Sequence, residues 1–303
     1  VADPHTDEKL RSRLTRLQDA RRFATAQLTL PDNGSYTQYA DLKRPYAVWN
    51  VFAAPEFSLE PVQHCFLVIG CLSYRGYFAK DDAEAEAARL SAAGAEIYVA
   101  GIPAYSTLGW FDDPVLNTMM HWSDEVLVAT LFHELTHQKF YLKGDTAFDE
   151  SLASFVEDEG LKQYQDARGW HSDAYVIYQK RQQQVTALML DARARLAALY
   201  AQKLPADETR RRKQAEFDRL RASYRALRDG EWHGYDGYDR MFNGELNNAR
   251  MLPYGLYDQW QPAFAALYRQ SGQQWPAFYD AVKKLAALPD EQRKEALNKL
   301  AGL

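Results

Sequence analysis

Apolar residues recur at helical spacing over residues 7–30, where Leu10, Leu14, Leu17, Ala20, Phe23, Ala24 and Leu28 are separated by charged positions. That periodicity predicts one amphipathic helix, and Pro31-Asp32-Asn33-Gly34-Ser35 predicts the turn that ends it. The pattern then changes. Aromatic and β-branched runs over 46–52, 65–69 and 96–100 predict strands, with an Ala/Glu-rich helix over 81–94 between the last two. Residues 101–116 read as a loop rich in Tyr, Trp, Gly and Asp. Ser123 is placed to cap a helix, with Asp124 and Glu125 favourable in its first turn. This helix is expected to run to about Lys143 and to stop at Gly144. A second begins near Asp145 or Thr146 and passes Glu159. Two long charged helices over 171–203 and 207–229, joined at Leu204-Pro205, predict an antiparallel hairpin. Three further helical patterns follow.

The fold class is therefore α+β and predominantly α-helical, with a small N-terminal sheet, a helix pair and a long antiparallel helical hairpin. Four regions are expected: an N-terminal helix and linker (1–45), an α/β catalytic region (46–170), the hairpin (171–230), and C-terminal helices (231–303) that complete the catalytic domain.

Composition narrows the function classes. With 47% hydrophobic and 13% aromatic residues the chain can bury a substantial core, which argues against disorder. A net charge of −5 gives no reason to expect nucleic acid as a partner. No run of 18 apolar residues occurs, so no transmembrane segment is expected. The chain begins at Val1, and a removed upstream targeting segment is an expectation consistent with that start. Cys65 and Cys71 would lie roughly 20 Å apart on one straight strand, too far to bridge. A disulfide between them needs a tight turn, which Gly70 permits; two buried thiols are the alternative.

The chemistry concentrates in His133-Glu134-Leu135-Thr136-His137. Positions i and i+4 share a helix face, so His133 and His137 can aim two imidazoles at one point, the demand of a zinc site. Glu134 is turned about 100° around the axis. It borders the metal without ligating it, as a general base should. The competing interpretation is a partly buried histidine pair beside a surface carboxylate. Glu150, thirteen positions after His137 on the next helix, supplies a third ligand and leaves a coordination position open. Glu157, two turns further on the same face, is the competing candidate, and Asp149 is placed to orient an imidazole. One Zn²⁺ per chain is the expected cofactor and a peptide the expected partner.

These residues resemble a family. The motif followed by a helix carrying Asp149-Glu150 and Ala153 is similar to the gluzincin metallopeptidases, including the alanyl aminopeptidase group, although the spacing is shorter here. A closer resemblance is to a bacterial family of predicted aminopeptidases, and it covers most of the chain. It is carried by Tyr74-Arg75-Gly76-Tyr77-Phe78, by 104–111, by Lys143-Gly144-Asp145-Thr146-Ala147-Phe148, and by Asn247-Asn248-Ala249-Arg250. The resemblance implies a zinc aminopeptidase, and an N-terminal lipoprotein-type signal that would hold it in the periplasm on a lipid anchor. Such a compartment favours a Cys65–Cys71 disulfide. Asp149 departs from the pattern, since the family more often has Asn there. Related enzymes place an oxyanion donor downstream of the third ligand, which implies Tyr257, with Tyr254 as the alternative and a packing tyrosine as the plain reading. They also bind substrate on the segment before the zinc helix, which points to Tyr105 and Gly109. An anion for a substrate ammonium is offered by Asp112, Asp113 or Glu157, with Glu157 the one assigned to substrate binding. His121 and His171 read as structural. Two rival functions stand beside the aminopeptidase: a zinc endopeptidase of restricted specificity, and a non-catalytic cell-envelope scaffold whose working surface is the hairpin.

Overall fold

A computed structural model describes residues 6–66, 70–104, 106, 107, 109–254 and 260–302. In chain order its elements are α1 (Glu8–Leu28), β1 (Tyr39–Ala40), β2 (Val48–Pro55), β3 (His64–Phe66), β4 (Gly70–Leu72), β5 (Arg75–Tyr77) and α2 (Lys80–Ala92). There follow β6 (Ala95–Ile102), β7 (Val115–Leu116), α3 (Asp124–Lys139), α4 (Thr146–Arg168), α5 (Asp173–Ala201) and α6 (Ala206–Asp229). The last are α7 (Asp239–Asn243), α8 (Asn248–Met251), α9 (Gln261–Gln270), α10 (Trp275–Ala286) and α11 (Asp290–Ala301). The fold is α+β and mostly helical, as the periodicity predicts. It divides into two compact units, one of Val1–Ala47, Ile102–Ser172 and Leu256–Leu303, the other of Val48–Gly101 and Asp173–Gly255.

The second unit is built on a three-stranded sheet in the order β5-β2-β6. Side chains alternate across a strand, and β2 presents buried residues to both faces. Val51 and Ala53 pack with Ala83 and Leu90 of α2, while Phe52 and Ala54 pack with Ala249 and Leu252. Of the strand expected over 65–69, residues 67–69 lie outside the described residues; β3 and β4 pair antiparallel with Cys65 opposite Cys71. Cys65 is disulfide-bonded. Reversal of the chain supplies the approach that a straight strand would forbid.

The predicted hairpin is α5 and α6. Arg195 meets Glu216 and Gln184 meets Glu231, so the helices run antiparallel. Val185, Met189 and Leu196 of one helix pack with Phe217, Leu220 and Tyr224 of the other.

The Asn247-Asn248 stretch ties this unit together. Asn247 caps α8 by accepting from Arg250 N at 3.0 Å. Asn248 is fully buried, and its amide donates to the carbonyls of Pro55, Glu56 and Ser58 at 2.9–3.0 Å. Its Oδ1 accepts from Tyr200 Oη at 2.8 Å, and its N–H reaches Glu96 Oε2 at 2.7 Å. Lys213 pairs with Glu96 and donates to Glu56 O at 2.7 Å. One asparagine thereby satisfies polar groups from β2, β6 and α5 that burial would otherwise strand.

In the first unit, α3 and α4 lie side by side and pack with α1 and α9. Phe132, Phe148, Leu152 and Phe264 are fully buried there. Gly160 permits the approach, because a Cβ on it would come 2.8 Å from Leu28 Cδ1 and 3.1 Å from Phe132 Cδ2. Ser123 caps α3 by accepting from Val126 N, as expected. Arg13 of α1 then clamps the same end, donating to Asp124 Oδ1 at 2.8 Å and to the carbonyls of Met120 and Trp122. The other end differs from expectation. The helix stops at Lys139 rather than near Lys143, and Phe140 is extended. Two tertiary contacts account for this: Phe140 packs 6.0 Å from Phe148, and Leu142 N donates to Asp149 Oδ1 at 2.7 Å. Gly144, at φ +90°, closes the turn into Asp145, which caps α4. Arg293 of α11 holds that cap, 3.0 Å from Asp145 Oδ2.

Replacing Asn248 by Ala strands the Tyr200 hydroxyl and removes a donor shared by three carbonyls. Chemical denaturation is expected to find the protein less stable by about 3 kcal/mol.

Candidate metal centre

Both histidines of the motif lie in the C-terminal half of α3, and α4 carries the carboxylates facing them. His133 Nε2 lies 3.1 Å from His137 Nε2. Glu150 Oε2 lies 3.3 Å from the first and 3.6 Å from the second. These side chains are 15%, 10% and 17% exposed, so the cluster is sheltered without being sealed. Among the described residues they form the group of three able to hold a metal ion.

His133 and Glu150 each favour the other's charged form. Burial by itself would raise the Glu150 carboxyl, but hydrogen bonds from His133 and His137 hold it down at about 2. Burial would equally lower His133, yet Glu150 and Glu157 lift it well above the usual imidazole value. The two carboxylates thus favour the protonated ring.

Glu157 stands on the far side of the ring, its Oε2 2.9 Å from His133 Nδ1. A carboxylate there accepts a hydrogen bond from Nδ1–H and would leave the Nε2 lone pair of a neutral ring available to a ligand. Asp149 does not reach an imidazole; it accepts from Leu142 N, and burial pushes its carboxyl up to about 8. A protonated Asp is close in shape and charge to the Asn expected at this position. Glu134 follows His133 in the turn, and its carboxyl feels the charges of His133, His137 and Glu150. Burial raises its pKa, partly offset by His133 and His137, which makes its carboxylate a stronger base than an exposed one.

A family model described as "Putative aminopeptidase" matches residues 1–297. The chain belongs to that family. Comparison with curated proteins and with solved structures gave no match. Membership in an aminopeptidase family supports peptide hydrolysis as the general activity, with peptides as substrates.

Tyr105 and Tyr257 lie outside the described residues. Tyr254 belongs to the second unit, where it packs in the hairpin core and reaches Met241 Sδ at 3.4 Å. His121 is exposed beside Trp122, and His171 is exposed 3.9 Å from Asp166. Gly109 has φ +81°, and a Cβ on it would come 3.9 Å from the Gln138 side chain, one residue past His137. No helix of the described residues is long and apolar enough to cross a membrane.

One feature of this aminopeptidase-family site has no signal in the sequence. Asp113 is buried, and its Oδ2 accepts from Thr107 N at 2.8 Å, Thr107 Oγ1 at 3.0 Å and Gln138 Nε2 at 3.3 Å. Gln138 is held in turn by Asn33 at 2.8 Å and Ser35 at 3.2 Å. The segment before α3 is thereby fastened to the helix that bears both histidines. Asp113 was a candidate for a substrate ammonium; its carboxylate instead serves these internal donors.

Asp113→Ala leaves Thr107 N–H and the Gln138 amide without their acceptor. Denaturant titration is expected to register a loss of about 2–3 kcal/mol.

Proposed function

We propose that this chain is a zinc-dependent aminopeptidase that holds one Zn²⁺ on His133, His137 and Glu150. The observation that carries the reading is the triangle of donor atoms, with edges of 3.1, 3.3 and 3.6 Å. Donors about 2.0–2.1 Å from a tetrahedral zinc stand about 3.3 Å apart, so the side chains suit the ion as they lie. Two neutral imidazoles and one carboxylate form a catalytic donor set, which leaves a fourth position for water or substrate.

A bound zinc ion supplies Lewis-acid polarisation of the scissile carbonyl and acidifies water. The residues do the rest. Glu134 takes the proton from the attacking water and later delivers it to the leaving amine. Its buried setting favours this, because a base with raised pKa both accepts and returns a proton readily near neutrality. Glu157 keeps His133 in the ligating tautomer. We assign Tyr257 to the oxyanion on the resemblance alone. The disulfide at Cys65 accords with an oxidising compartment, and we extend the proposal to a periplasmic location.

Purified wild type is expected to contain one zinc per chain by elemental analysis and to cleave free-amino fluorogenic amides. Glu134→Gln should keep the metal and lose turnover by about 10²–10⁴-fold. Equal turnover by the two proteins, or no zinc in the wild type, would overturn the reading. An N-acetyl group on the substrate should abolish cleavage; retained cleavage would make the enzyme an endopeptidase instead.

Removing the carboxylate behind His133 tests the ligand set separately. Glu157→Ala is expected to weaken zinc binding by about 10–100-fold in competition with a chelator.

A further inference from the structure

Exposed large apolar side chains in the first unit are few. Among its described residues they are Trp110 at 81%, Phe111 at 74% and Tyr141 at 42% exposure. All three belong to segments that adjoin the metal-binding half of α3. Tyr141 follows His137 by four residues, and burial together with the charges of Asp149 and Glu150 raises its pKa. Trp110 and Phe111 follow Gly109, whose backbone lies against Gln138.

The segment that bears the aromatic pair is tightly organised. Trp110 N donates to Thr107 O at 3.1 Å, closing a turn with Gly109 at positive φ. Phe111 N donates to Thr107 Oγ1 at 3.1 Å. Thr107 in turn is bound to buried Asp113, and Asp113 to Gln138. Two large rings are thus held in water by a fixed backbone. Leaving both rings outside forgoes the gain of burying them. Rigid aromatics also bind at low entropic cost.

We propose that Trp110 and Phe111 form an apolar lip of the candidate active site and receive a bulky apolar side chain of the peptide substrate. The inference rests on the peptidase reading above and adds a substrate class to it: peptides with a large aliphatic or aromatic residue beside the scissile bond. Continuity with the site favours this occupant, because the same hydrogen-bonded chain that fixes the lip ends on the residue next to His137.

The test uses the zinc-loaded protein and the double variant Trp110→Ser/Phe111→Ser, with thermal melts to verify folding. The ratio of kcat/KM for a phenylalanyl amide to that for an alanyl amide should fall by about tenfold or more in the variant, chiefly through KM. A ratio unchanged within about twofold would overturn the proposal. Calorimetric titration of Phe-Ala and Ala-Ala dipeptides into Glu134→Gln, with and without the lip residues, measures the same preference without turnover. A preference for Phe-Ala that vanishes with the lip supports the proposal; equal binding overturns it. Absence of wild-type turnover would refute the peptidase reading, and the calorimetric arm would still decide the lip. Co-sedimentation with phosphatidylcholine/phosphatidylglycerol vesicles that is lost in the double variant would make the pair a membrane contact and overturn the proposal.

Discussion

Two imidazole nitrogens face each other at 3.1 Å, and a carboxylate oxygen closes the triangle. The first unit is arranged to keep these donors in place. Arg13 pins the start of α3 through Asp124 and two carbonyls. Arg293 grips Asp145, the residue that caps α4 three turns' worth of contacts before Glu157. Asp149 ties the connecting turn through Leu142 N, and Gly160 lets α1 and α3 close on α4. Each clamp acts on a helix terminus or a close crossing, where a small shift would displace the candidate donors.

The second unit buries polar groups for a different end. Asn248, Glu96, Lys213 and Tyr200 form a network in which donors and acceptors satisfy one another. Such an arrangement stabilises because nothing is left unpaired. The metal candidates have the opposite character: His133 and Glu150 are held close, and each shifts the other's pKa toward its charged form. Resemblance alone does not distinguish these two kinds of buried polarity. The stretch Asn247-Asn248-Ala249-Arg250 looks as diagnostic as the zinc motif, yet its hydrogen bonds make it a structural joint.

Glu157 illustrates how a residue's role follows from which side of a ring it meets. On the helix face it stands in line with Glu150, two turns away, and either could be a ligand by spacing. Packing of α4 on α3 puts Glu150 against both Nε2 atoms and Glu157 against His133 Nδ1. Identical functional groups become candidate ligand and ring partner through position alone.

Short-range order was written in the sequence. The i, i+4 spacing of His133 and His137, the cap at Ser123, the amphipathic α1 and the break at Leu204-Pro205 depend on neighbours within a turn or two, and so they could be read without coordinates. Tertiary structure decided what depends on residues distant in the chain. The end of α3 at Lys139 answers to Phe148 and Asp149, which local propensity does not sense. The pairing of Cys65 with Cys71 across two strands, the fastening of Gln138 to Asp113 and the grip of Arg293 on Asp145 arise only when packing joins separate segments. Backbone periodicity can announce a helix and one face of it. Which side chain meets which across the gap is set by burial and hydrogen-bond satisfaction of the whole unit, and that is where a pair of histidines acquired its third donor.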